Sequence, residues 1–201
     1  MGRFILGVII GILLVGGGAY YYFTSGAAPV AATAQPMPLE TYFAKKAQHA
    51  LISKQEPKVA PIQPTTENYL EGIKVYKKNC AVCHGLTGND LSDIGPLMYP
   101  HAPQLFKRPP NFNPATMHFG VTDDPPGESY WKVKNGIRLT GMPPFEKLLT
   151  DEQMWDVSLL LADAANLPAE ANAALAATPA SVAAAAPAAM PAKQAASPKK
   201  P

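Results

Sequence analysis

The only two cysteines in the chain, Cys80 and Cys83, lie three residues apart, and His84 directly follows the second in the run "NCAVCHG" at 79–85. Four chemistries compete for such a set. A disulfide across so short a spacing closes a tiny loop and removes little entropy from the unfolded chain. A dithiol redox pair calls for a strand–helix–strand setting that the surrounding sequence lacks. A structural zinc ion needs four ligands, and no second Cys or His pair follows at finger spacing. The fourth chemistry is covalent attachment of a c-type haem, for which Cys-x-x-Cys-His is the signature. At the end of a helix, two thiols at this spacing can add to the two porphyrin vinyl groups while the imidazole faces the iron. The spacing favours this fourth reading.

Iron held by one imidazole needs a sixth ligand or keeps an open face. The run "NGIRLTGMPPF" at 135–145 places Met142 in a glycine–proline turn, well suited to present a thioether to a metal. Met98, Met117, His101 and His118 lie in the long loops without that context. His49 falls outside the domain, and Met154 beside Trp155 reads as core packing.

Three helices are expected to position these groups. One, over 67–78, ends at the cysteine motif and repeats apolar residues at Tyr69, Ile73 and Tyr76. A second, around 127–135, stops at Asn135-Gly136. A third, over 151–165, is announced by Thr150 and Gln153 as a capping box and carries Trp155, Leu159 and Ala162 on one stripe. The loops between them, 85–126 above all, are long for a compact domain unless they wrap a ligand that completes the core. Residues 65–166 are therefore read as the globular domain. Before it, residues 24–64 read as a linker. They contain a short amphipathic helix at 39–55, with Leu39, Tyr42, Phe43, Ala47, Ala50 and Leu51 as its apolar face against a membrane surface or a partner. A proline-rich extended spacer follows at 56–64. After the domain, 167–201 is rich in alanine and proline and reads as a disordered tail.

The first 23 residues carry one charge, Arg3, followed by an uncharged run from Phe4 to Phe23. At 1.5 Å per residue such a run spans roughly 30 Å, the hydrocarbon thickness of a bilayer. Arg3 is expected to stay in the cytoplasm, with Tyr20, Tyr21, Tyr22 and Phe23 at the far interface. A cleaved signal peptide is the competing reading, because Ala32-Thr33-Ala34 forms a cleavage-like site, but that site lies well beyond the apolar run. Residues 1–23 are thus expected to anchor the chain in a bacterial inner membrane in a single pass, with residues 65 onward in the periplasm. Formal net charge is only +2, which gives no basis for nucleic-acid binding.

On "CAVCHG", "GP" at 95–96, "GMPPF" at 141–145 and a closing helix with Trp155, residues 65–166 resemble a class I mono-haem cytochrome c domain of the small bacterial type. The resemblance implies an all-α fold of three to four helices with long loops round one covalently attached haem c. The haem would be bound through Cys80 and Cys83, with His84 and Met142 as iron ligands. It implies further that Pro96 accepts from the His84 imidazole, and that Gly72 or a neighbour on the first helix meets Trp155 on the last. Arg108, Tyr99, Trp131 and Asn135 are candidates to hold the haem propionates. With both axial positions filled, such a site moves single electrons. The implied function is an electron carrier, not an enzyme, tethered among membrane redox complexes: a quinol-oxidising donor and a terminal oxidase or photosynthetic acceptor. A fixed haem subunit of a larger complex shares that chemistry, whereas a haem enzyme or gas sensor would require Met142 to leave the iron. Twelve acidic residues against nine Lys and Arg over 65–166 leave the domain mildly acidic, which suits weak, transient docking.

Overall fold

The computed structural model describes residues 1–87 and 91–177. Among them it contains seven α-helices and no strand: α1 (Gly2–Thr24), α2 (Glu40–Gln55), α3 (Thr66–Asn79), α4 (Ala81–His84), α5 (Pro126–Asn135), α6 (Asp151–Ala162) and α7 (Ala169–Ala176). Helix α1 has no buried residue and a mean hydropathy of 2.1, so it is long and apolar enough to cross a membrane.

The core lies where α3 packs across α6, and α5 covers the other side of α6. Both crossing helices begin where side chains supply the missing acceptors. The Thr65 hydroxyl accepts from Asn68 N–H, and Thr150 and Gln153 form the expected reciprocal capping box. Every residue of α6 from Met154 to Leu161 is buried, because α6 is enclosed on several sides at once. A methyl group at Gly72 would stand 2.5 Å from the Asp156 carbonyl oxygen, so only glycine lets the two backbones approach this closely. The atoms nearest to that position are those of the α6 backbone at Asp156–Val157. The adjacent Trp155 ring stacks on Tyr130 of α5, centroids 4.1 Å apart and planes within 14°. At the far end of the crossing, Tyr69 donates its hydroxyl proton to Asp163 Oδ2 at 2.7 Å.

Three expectations about the flanking segments need correction. The spacer after α2 is not free: Ala60 and Ile62 pack on the core, and the Pro57 carbonyl lies against the first turn of α5 where Gly127 has no side chain. Helix α2 docks a face on α5 and buries Ile52, while Leu39, Tyr42, Phe43 and Leu51 remain exposed. The folded domain also continues past 166, because Leu167, Ala171 and Leu175 are buried in the same core. Helix α7 forms because those side chains gain burial against α3, where Lys77 Nζ donates to the Ala174 carbonyl at 2.7 Å and closes the helix end. The rest of the expected tail, 178–201, lies outside the described residues.

Asp156 sits in the α3–α6 crossing with only 3 % of its surface exposed and Oδ1 without a hydrogen-bond partner. Burial, reinforced by the charges of Glu152 and Glu71, pushes its carboxyl up from the ordinary 3.8 to about 6. A carboxyl raised in the fold favours the folded state below its unfolded value, and that contribution is lost as pH rises through the folded value. Asp156→Asn should therefore gain on the parent protein by on the order of 1 kcal/mol near neutral pH and by almost nothing below about pH 4. Urea titrations of the detergent-solubilised protein at the two pH values measure the difference, and an equal gain at both would contradict this account of Asp156.

Candidate functional site

The cysteine motif is carried on the last turn of α3 and the short turn α4, joined through Cys80, whose N–H bonds back to the Tyr76 carbonyl. Three side chains fasten this turn by hydrogen bonds. Tyr76, fully buried, donates its hydroxyl proton to the Gly85 carbonyl at 2.7 Å. Ser92 donates its hydroxyl proton to the Val82 carbonyl at 2.6 Å and accepts from the Gly95 N–H at 2.9 Å. Gln104 accepts from the Ser92 N–H at 2.8 Å and donates to the Cys83 carbonyl at 3.3 Å. The loop after His84 is thereby folded back over the motif.

The His84 ring is oriented by its Nδ1, 2.8 Å from the Pro103 carbonyl oxygen. A carbonyl can only accept, so Nδ1 carries the proton and Nε2 keeps the free lone pair. Burial holds the imidazole below its ordinary pKa, and the bond to Pro103 partly offsets that. The expected acceptor, Pro96, is not the one used; it lies in a 3-10 turn at Gly95–Leu97 that packs against α4. The loop reaches His84 only seven residues later.

Met142 is presented by a clasp on the C-terminus of α5. Ile137 N–H donates to the Met142 carbonyl at 3.1 Å, Met142 N–H to the Thr140 hydroxyl oxygen at 3.1 Å, and Phe145 N–H to the Val133 carbonyl at 3.0 Å. Gly136, with φ +67°, makes the turn; a side chain there would run into the Pro143–Pro144 backbone.

Cys80, Cys83, His84 and Met142 all line one cavity of about 480 Å³, whose walls include Tyr76, Leu105, Val121, Val133, Phe145 and Leu161. That volume falls within the roughly 300–1,000 Å³ of cofactor sites. Burial, with the neighbouring Cys83, pushes the Cys80 thiol up to about 12. Among the described residues no three His, Cys, Asp or Glu side chains are grouped to hold a metal ion directly. The donor set suits a flat tetrapyrrole instead: two thiols, an imidazole and a thioether line one cavity together with apolar side chains. The residues present fit a haem.

Of the other expected ligands, Met98 and His101 also line the cavity, whereas Met117 and His118 do not. Met98 Sδ packs against Gly141, directly before Met142. The propionate candidates are placed elsewhere. Arg108 donates to the Ala164 carbonyl at 3.3 Å and lies over the rings of Phe112 and Phe119. Trp131 Nε1 donates to Gln55 Oε1 at 3.0 Å, Tyr99 meets Thr41, and Asn135 donates to the Trp131 carbonyl. None of the four lines the cavity. Sequence reasoning missed Pro103, Gln104, Lys45 and Gln48. For Pro103 a signal existed, since "HAPQL" repeats the small-residue–proline step of "DIGPL".

An all-helical domain in which a Cys-x-x-Cys-His turn and a methionine line the same cavity has the features of a c-type cytochrome. Residues 67–159 match the family model described as "Cytochrome C oxidase, cbb3-type, subunit III", and this segment, rather less than half of the chain, is a mono-haem cytochrome c domain. No curated protein matches the chain, and no solved structure does. Such a domain implies haem c as cofactor and respiratory redox complexes as associates.

Gln104 is the side chain through which the returning loop grips the cysteine turn. Gln104→Ala would leave the Ser92 N–H and the Cys83 carbonyl without these partners and should cost roughly 1–3 kcal/mol. Thermal melts of the parent and variant check this, and an unchanged melting temperature would contradict the assigned role.

Proposed function

We propose that the protein is a membrane-tethered c-type cytochrome that carries single electrons between membrane redox complexes on the exported side of a bacterial inner membrane. The observation that carries this reading is that His84 and Met142 line the same cavity, with the imidazole already turned by Pro103 so that Nε2 is its free donor. Cys80 and Cys83 would hold one haem by thioether bonds, and His84 Nε2 and Met142 Sδ would be the iron ligands. Bound haem supplies a one-electron couple, and imidazole with thioether ligation raises its potential.

The chain's own residues do the remaining work. Pro103 fixes the His84 tautomer and makes the imidazole a better donor. The clasp on α5 holds the Met142 backbone in place, so that its thioether would be available as the second protein ligand to a bound haem iron. Most of the cavity's lining surface is apolar. To this ligand set we assign electron transfer. Helix α1, with Arg3 at its cytoplasmic end, would keep the domain close to its partners at high effective concentration.

A second reading, a fixed haem subunit of a larger oxidase, is supported by the description of the matching family model. It uses the same site and differs in whether the protein leaves its complex. Gentle detergent extraction separates the two: a free carrier elutes alone, a subunit elutes with an oxidase.

Optical spectra of the full-length protein, ferric and then ferrous with carbon monoxide, test the common core of both. A far-red sulfur-to-iron band in the ferric form and no change on adding carbon monoxide are expected. Ready carbon monoxide binding in the parent protein would overturn electron transfer in favour of a ligand-binding enzyme or sensor.

A further inference from the structure

The linker helix α2 precedes the family-matched segment, which begins at residue 67, yet it forms part of the cavity wall. The face it turns to the domain can be followed along the helix. Thr41 approaches Tyr99, with the two hydroxyl oxygens 3.5 Å apart. Ile52 is buried to 2 % exposure, and Gln55 accepts from Trp131 at 3.0 Å. Between these attachment points Lys45 and Gln48 line the cavity. Positions 41, 45, 48, 52 and 55 are spaced four, three, four and three residues apart, which places all five on one helix face. The helix is thus held at both ends with its middle across the cavity mouth.

The chemistry at that mouth is specific. A haem carries two carboxylates, and a carboxylate at the edge of an apolar cavity needs a cation or hydrogen-bond donors. Lys132 lines the cavity but is held by Asp124 at 3.2 Å and Glu128 at 2.7 Å, and Arg108 donates to the Ala164 carbonyl away from it. Among the described residues that line the cavity, Lys45 is a cation with no carboxylate partner. Gln48, half-buried beside it, adds an amide donor.

We propose that α2 is a built-in wall of the haem pocket, and that Lys45, supported by Gln48, pairs with a haem propionate and helps set the reduction potential. The proposal rests on the haem-binding reading above. It makes the membrane-proximal segment part of the cofactor site and more than a tether. Lys45 acts as a positioning residue: its positive charge beside the cofactor favours the reduced form, whose net charge is more negative by one electron.

Redox titration of the full-length holoprotein tests this with three variants. Lys45→Gln should lower the midpoint potential, and Lys45→Arg should restore it to near the parent value. Lys46→Gln, off the docking face and equal in charge change, should leave it in place. The far-red ferric band, read on the same samples, should be unchanged throughout, since none of these side chains reaches the iron. A Lys45→Gln potential equal to the parent's, or an equal fall in Lys46→Gln, would overturn the role of Lys45 while leaving haem ligation standing. Protein isolated without haem, or lacking the far-red band in the parent, would instead overturn the reading on which the proposal rests.

Discussion

The close crossing of α3 and α6 is the constraint on which the rest of the molecule depends. Because Gly72 has no side chain, the α3 backbone can lie against the Asp156–Val157 backbone, and that contact fixes where both helices end. The C-terminus of α3 delivers Cys80, Cys83 and His84, and the clasp between the end of α5 and the start of α6 carries Met142 and Phe145. A side chain at 72 would force the helices apart and separate two walls of one cavity. Stability and ligand geometry are coupled at this position by sterics alone. The Tyr130–Trp155 stack and the Tyr69–Asp163 hydrogen bond then keep α5 and α3 from sliding on α6.

The second feature of the architecture is how much of the pocket is loop held by polar side chains. Ser92 and Gln104 together satisfy backbone groups on both the cysteine turn and the segment that returns to it. This costs little apolar area and leaves the cavity side of the loop free to carry Pro103, Leu105 and Met98. A chain of this size has few core residues to spare, and an enclosed cofactor replaces the side chains that such loops would otherwise need.

Local signals in the sequence were read correctly where the physics is local. The capping box at Thr150 and Gln153 and the stop at Gly136 depend on neighbours within a few residues. The acceptor for His84 was misjudged because two small-residue–proline steps, at 95–96 and 102–103, compete within one loop, and only the path of that loop decides between them. Arg108 and Trp131 were plausible by type alone, but the first finds two aromatic rings and a carbonyl, and the second finds Gln55. Helix α7 was hidden by composition: alanine gives no period to read, and Leu167 and Leu175 acquire meaning only once α3 offers them a surface. The docked face of α2 was likewise obscured, because polar residues contribute most of it and its more conspicuous apolar residues face outward.

The central claim is that the Cys80–His84 turn and Met142, and not the neighbouring Met98, close on one iron from opposite sides. Proton NMR of the ferrous protein tests it most directly, because the methyl group of an iron-bound methionine lies over the porphyrin and is shifted far upfield by its ring current. The account predicts one such methyl resonance, absent in Met142→Ala and retained in Met98→Ala. A resonance that survives in Met142→Ala and disappears in Met98→Ala would contradict it.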